Sequence, residues 1–404
     1  DGQLKDFLVP PIPLKKITDR WYARDANWFA DFRQSARKVA HLFERSGGPT
    51  VDGVLAVTPR VLEGMLRLTG PIAMPDYGVT VTADTVVDET QRLVTFDYDR
   101  VANEPKAFIA DLLPRVLTEL LSLPRDRWGE LVLVLTEELK RKSILVYFRD
   151  ADAQQRVVQL GWGGALPSLP PPTSSVLTDH LGQVEANVGG HKTDTLIEQA
   201  LDYDVTAGSD ETLTATVVVT RHHQGSKSKT PGGAPLGMLG VNPPSSQSLP
   251  PDEDPKTKTN IVFERVFVPS GSALLEARGY VPSARVPSPL QRSQGDEGLV
   301  PDEDLAHLES QWEERESGIV VGSEAGFTTF GGWVVTEPEE TTVTVLRYRL
   351  PFRLPRPSLL ASILRYELLL THQPGHSPVL TRATLRVPTG FRIAWTGPAS
   401  ALQG

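Results

Sequence analysis

From Asp31 to Ser46 the apolar residues Ala36, Val39, Ala40, Leu42 and Phe43 recur at helical spacing, and Gly47-Gly48 supplies a stop, which predicts a helix. "VDGVLAVT" then predicts a buried strand from Val51 to Thr58. Thr58 is placed to cap the next helix and Pro59 suits its first turn. Val61, Leu62, Met65 and Leu66 give that helix one apolar face, which ends at Gly70. Helices predicted over 104–122 and 125–141, a strand "SILVYF" from Ser143 and a helix from Asp150 continue the alternation. Pro114, inside the first of these helices, predicts a kink or break. Residues 1–205 thus read as one α/β domain, its helices packed over a mainly parallel or mixed sheet.

After Asp204 the period changes from helical to alternating. "TLTATVVVT" (212–220), "IVFERVFVP" (261–269), "TTVTVLRYRLP" (341–351), "RYELLLTH" (365–372) and "ATLRVP" (383–388) are β-branched runs between turn signals. They predict an all-β antiparallel sandwich of immunoglobulin-like size over 206–404. Two segments interrupt it, 222–259 and 282–301. Their Pro, Gly, Ser and charge content is too polar to bury, which predicts long surface loops able to order against a partner.

Composition narrows the chemistry. A chain of 404 residues suggests more than one domain. With 41 basic and 50 acidic residues the net charge is -9, which offers no general attraction to a phosphate backbone, so nucleic acid is not an expected partner. The absence of cysteine excludes disulfides, thiolate catalysis and cysteine-based metal sites. No window reaches the roughly 18 uninterrupted apolar residues of a membrane span. The chain begins at Asp1 without a basic and apolar leader, so any export signal or membrane anchor is expected upstream.

"RDANWFADFRQSARKVAHLFERSGG" followed by "VDGVLAVTPRVLEGMLRLTGPI" resembles the bacterial family catalogued as domain of unknown function 4012. "GWGGAL" (161–166), "EANVGGHKTD" (185–194), "ERVFVPSGSALL" (264–275) and "YRLP" (348–351) follow in the family's order. The resemblance implies an exported, envelope-associated bacterial protein, usually anchored by an upstream membrane helix. Members normally begin with a segment bearing a glutamate-arginine and glycine-rich motif, which this sequence lacks. The unit around Gly47 to Gly70 is also similar, at the level of fold, to the LytR-CpsA-Psr phosphotransferases, a similarity that assigns none of their pyrophosphate-gripping basic residues to positions of this chain.

Two clusters offer candidate chemistry. In "WYARDANWFADF" (21–32), Arg24 suits bidentate contact with phosphate, Asp25 or Asp31 suits a proton or magnesium, and Asn27 suits orientation of either. Trp21, Tyr22 and Trp28 suit stacking on a sugar. The favoured reading of that stretch is architectural: a hydrogen-bonded elbow, with Asp31 capping the helix and the tryptophans lidding a core. In "ANVGGHKTD", Asn187, His191, Lys192 and Asp194 are candidate ligand contacts, with Thr193 or Asp194 as a cap the competing and favoured role. His222-His223 point to opposite faces of a strand and are not read as metal ligands, and the acidic "DYDVTAGSDE" (202–211) reads as a solvated turn.

No phosphate loop, dinucleotide turn, nucleophile elbow or H-E-x-x-H motif is present. The expected function is therefore a non-catalytic surface-assembly or structural interaction module, extracellular and part of a bacterial cell envelope. Its expected partners are other envelope or surface proteins, a second copy of itself, and cell-wall glycan. No cofactor or metal is expected. The alternative is a phosphotransferase or binder of envelope glycopolymers or their polyprenyl pyrophosphate carriers, with Arg24, Asp25 and Asp31 as its catalytic set and magnesium as its ion. Whether the chain is an enzyme stays open.

Overall fold

The structure, a computed structural model, describes residues 7–95, 106–173, 175–227, 255–288, 296, 298–354, 363–376, 379–388, 391–392, 394 and 396–397. Over these the chain forms two compact units. One is residues 31–166, and the other is residues 7–30 together with those from 167 onward. Most of the two expected loop segments, 228–254 and 289–295, lies outside the described residues.

The first unit mixes helices with short strands. Asp31 caps α1 (Phe32–Arg45), accepting from the Arg33 amide, and the helix buries Ser35, Ala36, Ala40 and Leu42. Strand β1 (Gly53–Val57) leads into α2 (Pro59–Thr69), which ends where Gly70, at φ 87°, donates its amide to the Leu66 carbonyl. Thr58 occupies the cap position of α2, but its hydroxyl makes no capping bond. A hairpin of β2 (Ile72–Met74) and β3 (Val79–Val81) precedes α3 (Val86–Thr95).

Helix α4 (Ala107–Leu121) runs through Pro114 without breaking. Then come α5 (Trp128–Lys140), β4 (Ile144–Phe148) and α6 (Ala151–Gln159), the last capped by Asp150. Strands β1 and β4 pair antiparallel and form a sheet of two, which corrects the expectation of a mainly parallel or mixed sheet. One core gathers Leu66, Met74, Val81, Phe108, Leu112 and Val116. A second joins Phe32 and Ala36 to Leu145. Gly164 belongs to the second core: its carbonyl accepts from the Phe32 amide at 3.1 Å, and a Cβ there would lie 2.8 Å from that of Phe32.

The second unit is rich in strands: β5 (Val176–Asn187), β6 (Ile197–Ala207), β7 (Thr212–His223), β8 (Asn260–Pro269) and β9 (Ala273–Arg278). After α7 (Glu303–Ser310) come β10 (Glu313–Glu314), β11 (Ile319–Glu324), β12 (Phe327–Thr336), β13 (Thr341–Arg353), β14 (Arg365–His372) and β15 (Leu380–Arg386). They form one sheet in the order β10-β11-β12-β8-β5-β14 and another in the order β15-β6-β7-β13-β9.

Most pairs are antiparallel, but the edge strands β14 and β15 run parallel to β5 and β6, so both sheets are mixed. Leu177, Leu181, Val266, Val268 and Phe330 of the first sheet meet Leu201, Tyr203, Val217, Val219 and Tyr348 of the second in one hydrophobic core. The expected boundary near 205 does not coincide with these units. Strands β5 and β6 hydrogen-bond to β8 and β7, which ties residues 176–207 to the β-rich unit.

Candidate functional site

The stretch from Trp21 to Ala30 folds onto the β-rich unit. Trp21 is fully buried, and its indole Nε1 donates to the Asp25 carbonyl at 3.0 Å while the Asp25 amide donates to the Tyr22 carbonyl, so the turn closes on itself. Arg24 projects outward with its side chain 53% exposed. Its guanidinium lies 4.4 Å from the Tyr22 ring centroid and its Nε 3.5 Å from the Asp25 carboxylate. Burial raises the Asp25 pKa, and the adjacent Arg24 charge opposes that rise. Asn27 is exposed.

Trp28 is buried and stacks on Phe263 with the ring planes 20° apart. Its carbonyl accepts from Arg265 Nη2 at 2.6 Å. Arg265 Nη1 in turn meets Glu324 Oε2 at 2.7 Å, and Glu324 Oε1 accepts from the Ala30 amide at 2.7 Å. Residues 28–30 are thereby fastened to β8 and β11 through a buried ion pair. Asp31 lies in the other unit, where its carboxylate takes the Arg33 amide at 2.9 Å and the Arg33 guanidinium at 2.6 Å.

The second cluster is an ordered turn. Asn187 accepts from the Gly190 amide at 3.2 Å and donates to Asp194 Oδ1 at 3.0 Å. Asn260 Nδ2 donates to the same oxygen at 3.0 Å and to Thr193 Oγ1 at 2.8 Å. Asn187 and Asp194 are thus brought together, while Lys192 sits in the left-handed region at φ 55°, on the exposed side of the turn. The residues from Thr193 to Leu196 form a short 3-10 turn without a side-chain cap.

Behind this turn lies a network that the sequence reading missed. Arg221, 1% exposed, donates Nη2 to Asn260 Oδ1 at 3.0 Å and Nη1 to Gln199 Oε1 at 3.0 Å and to the Glu185 carboxylate. Glu185 on β5 stands opposite Glu264 on β8 in the ladder, and Gln183 bridges the two carboxylates. His376 Nε2 approaches Glu185 Oε2 at 3.2 Å, and the Tyr280 hydroxyl donates to Glu264 Oε2 at 2.9 Å.

Burial pushes the Glu185 carboxyl upward, but Arg221 together with His376 outweighs it and holds the pKa at about 2. For Glu264 burial is again the largest influence, the Glu185 charge adds to it, and the pKa is raised to about 7. The two carboxyls are thus driven in opposite directions, Glu185 towards its ionised form and Glu264 towards its protonated form. Those are the electrostatics of an acid-base pair, but both carboxyls are buried and bonded to side chains of the unit itself. The chemistry the network supports best is cohesion between the two sheets.

A second buried group has the same character. Asp179 Oδ2 accepts from the Tyr203 hydroxyl at 2.6 Å and from Tyr366, and Oδ1 accepts from the His180 amide at 2.7 Å. Burial lifts its pKa to about 6 against those stabilising bonds.

The adjacent histidines separate as alternation requires. His222 is exposed beside Thr341, whereas His223 is fully buried, accepting at Nδ1 from the Gly225 amide and donating from Nε2 to the Lys258 carbonyl. Residues 202–207 of the acidic stretch lie in β6, and Asp210 closes the turn to β7 by accepting from the Thr212 hydroxyl at 2.7 Å. Among the described residues no group of three or more His, Asp or Glu side chains is arranged to hold a metal ion. No helix among them is long and apolar enough to cross a membrane.

Residues 13–94 match the model of a family described as a protein of unknown function (DUF4012), so the resemblance drawn from the sequence holds over those residues. They run from the elbow through α1, β1, α2 and the β2–β3 hairpin into α3. No curated protein and no solved structure matches the chain.

Proposed function

We propose that this chain, which residues 13–94 identify as a member of the DUF4012 family, works as a surface-assembly or structural interaction module of the bacterial cell envelope. The observation that carries this reading is where apolar surface is left open. Leu113, Leu117 and Leu121 recur every four residues along α4 and are 40%, 55% and 73% exposed. On α5, Val132 and Leu133 are 60% and 67% exposed. A helix apolar on its outward side as well as its core side suits contact with another surface. Asp31, Asn187 and Asp194, by contrast, are bonded within the chain.

In this reading the β-rich unit serves as an immunoglobulin-like scaffold and the chain lies outside the cell. Protease treatment of intact cells should release it, and cross-linking should give defined higher-mass species that Leu117→Asp with Val132→Asp removes without altering the far-ultraviolet spectrum. A chain found only inside the cell, or the absence of any cross-linked species that those substitutions remove, would overturn the reading.

A second reading is favoured by one specific feature, the exposed Arg24 guanidinium beside the half-buried Asp25 carboxylate. That pair suits an enzyme or binder handling envelope glycopolymers or polyprenyl pyrophosphate carriers, with Arg24 meeting phosphate and Asp25 meeting a proton or magnesium.

A further inference from the structure

We propose that the outer edge of β1 pairs antiparallel with β1 of a second copy of this chain, about a two-fold axis at Leu55. The inference deepens the interaction-module reading and rests on it. Its first support is the direction of the backbone groups. The Thr58 amide donates to the Ser143 carbonyl at 2.9 Å and the Arg149 amide to the Asp52 carbonyl at 2.8 Å, within the register that sets Leu55 opposite Val146. In an antiparallel ladder, bonded residues alternate, so positions 52, 54, 56 and 58 face β4. Gly53, Leu55 and Val57 therefore turn their N–H and C=O groups the other way.

The two outer edges of this small sheet differ. On β4, the Val146 amide donates to the Trp162 carbonyl at 3.0 Å and the Phe148 amide to Gln154 Oε1 at 2.8 Å. On β1, the outward groups of Gly53, Leu55 and Val57 have no hydrogen-bond partner among the described residues. Their side chains add apolar surface, since Leu55 is 64% and Val57 54% exposed. The strand, "GVLAV", carries no proline, charge or bulge, the devices that ordinarily block edge pairing.

A second copy fits this edge through its symmetry. Pairing about Leu55 sets Leu55 against Leu55 and Gly53 against Val57 of the other copy, so every outward residue meets an outward residue and all their donors and acceptors are used. Leu55 and Val57 of both copies then lie on one face, and Gly53 leaves room opposite Val57. At the flanks, an antiparallel pairing brings the end bearing Asp52 towards the first turn of α2 of the other copy, where the Arg60 side chain is 54% exposed and 3.6 Å from Glu138. The product is a continuous sheet in the order β4-β1-β1-β4.

The chain has no cysteine, which makes disulfide trapping a specific test. In the proposed pairing the two Leu55 Cα atoms lie about 5.5 Å apart, within disulfide reach. The two Val57 Cα atoms lie about 14 Å apart, too far to bridge. Leu55→Cys should therefore form an interchain disulfide on mild oxidation, and Val57→Cys should not. By light scattering at micromolar concentration the wild type should have twice the chain mass, and Leu55→Asp should halve it.

Should Leu55→Asp fail to fold, the cysteine pair still decides the matter. A monomeric wild type, equal cross-linking of both cysteine variants, or capture by Leu55→Cys of a different protein would overturn the self-pairing. A monomer that still gives the α4- and α5-dependent cross-linked species would sink this inference alone. Loss of those species as well would sink the interaction-module reading too.

Discussion

Arg265 of β8 donates a hydrogen bond to the Trp28 carbonyl at 2.6 Å and holds its guanidinium carbon 4.7 Å from the centroid of the same residue's ring. The third member is Glu324, whose carboxylate divides between Arg265 and the Ala30 amide. Arg265 and Glu324 are 4% and 6% exposed, so removing the cation strands a buried anion. Arg265→Met should cost about 3–5 kcal/mol, and adding Glu324→Leu should recover much of it. Denaturant unfolding followed by tryptophan fluorescence reads both. A single-variant loss near the ~0.2–1 kcal/mol of an exposed pair would mean that residues 28–30 are not fastened this way.

The Glu185–Glu264 pair gives stability a pH dependence of definite sign. Glu264 is raised from an ordinary 4.5 to about 7, so the folded state binds its proton more tightly than the unfolded chain does. That contribution is fully present below about 4.5 and is lost as pH rises through about 7. Glu185, held at about 2, acts oppositely: its contribution is present above about 4.5 and is lost as pH falls toward 2. Glu264→Gln keeps a neutral side chain of the same shape. It should raise the melting temperature at mildly alkaline pH and flatten the slope from mildly acidic pH upward, leaving a residual slope from Asp179, raised to about 6, and from Glu309, raised by burial to about 7. An unchanged slope would mean that Glu264 ionises as an ordinary carboxylate.

One member of this network was visible in strand parity. In β7 the buried positions are Leu213, Ala215, Val217 and Val219, and the same alternation runs on to Arg221 and His223, so an inward arginine was legible. Strand β14 coincides with the expected 365–372. Strand β5, "VLTDHLGQVEAN", was not legible, because period counting reads Asp179, His180 and Glu185 as solvent-facing. Their burial depends on partners distant in sequence, namely Tyr203, Phe267 and Arg221. The elbow was half legible: the turn and the Asp31 cap follow from local sequence, whereas the Arg265 and Glu324 contacts to residues 28–30 join segments more than 200 residues apart.

Asp31 discriminates a cap from a catalytic acid. Its Oδ1 accepts from the Arg33 amide at 2.9 Å, a bond that asparagine can also accept. Asp31→Ala should destabilise the helical unit by about 1 kcal/mol. Asp31→Asn should lose only the part owed to the Arg33 charge, a contact whose arginine is 45% exposed. Thermal melts followed by circular dichroism separate the two. Equal losses would show that the ion pair, and not the cap, is what Asp31 supplies.

Arg24 decides between the two functional readings, because its geometry is compatible with both. Its side chain is 53% exposed and rests over Tyr22, with Asp25 beside it, so as architecture it is an exposed pair worth about 0.2–1 kcal/mol. On the interaction-module reading, Arg24→Ala shifts the melting temperature slightly and the wild type does not bind a polyprenyl pyrophosphate analogue. Asp25→Asn sharpens the comparison: burial already disfavours the Asp25 charge, so removing it should be neutral or mildly stabilising at neutral pH. A residue retained for chemistry would show the same change in stability but lose ligand handling with it. Saturable calorimetric binding of the analogue by the wild type, abolished by Arg24→Ala at unchanged melting temperature, would establish the phosphate-handling reading and displace the interaction module as the primary role of this chain.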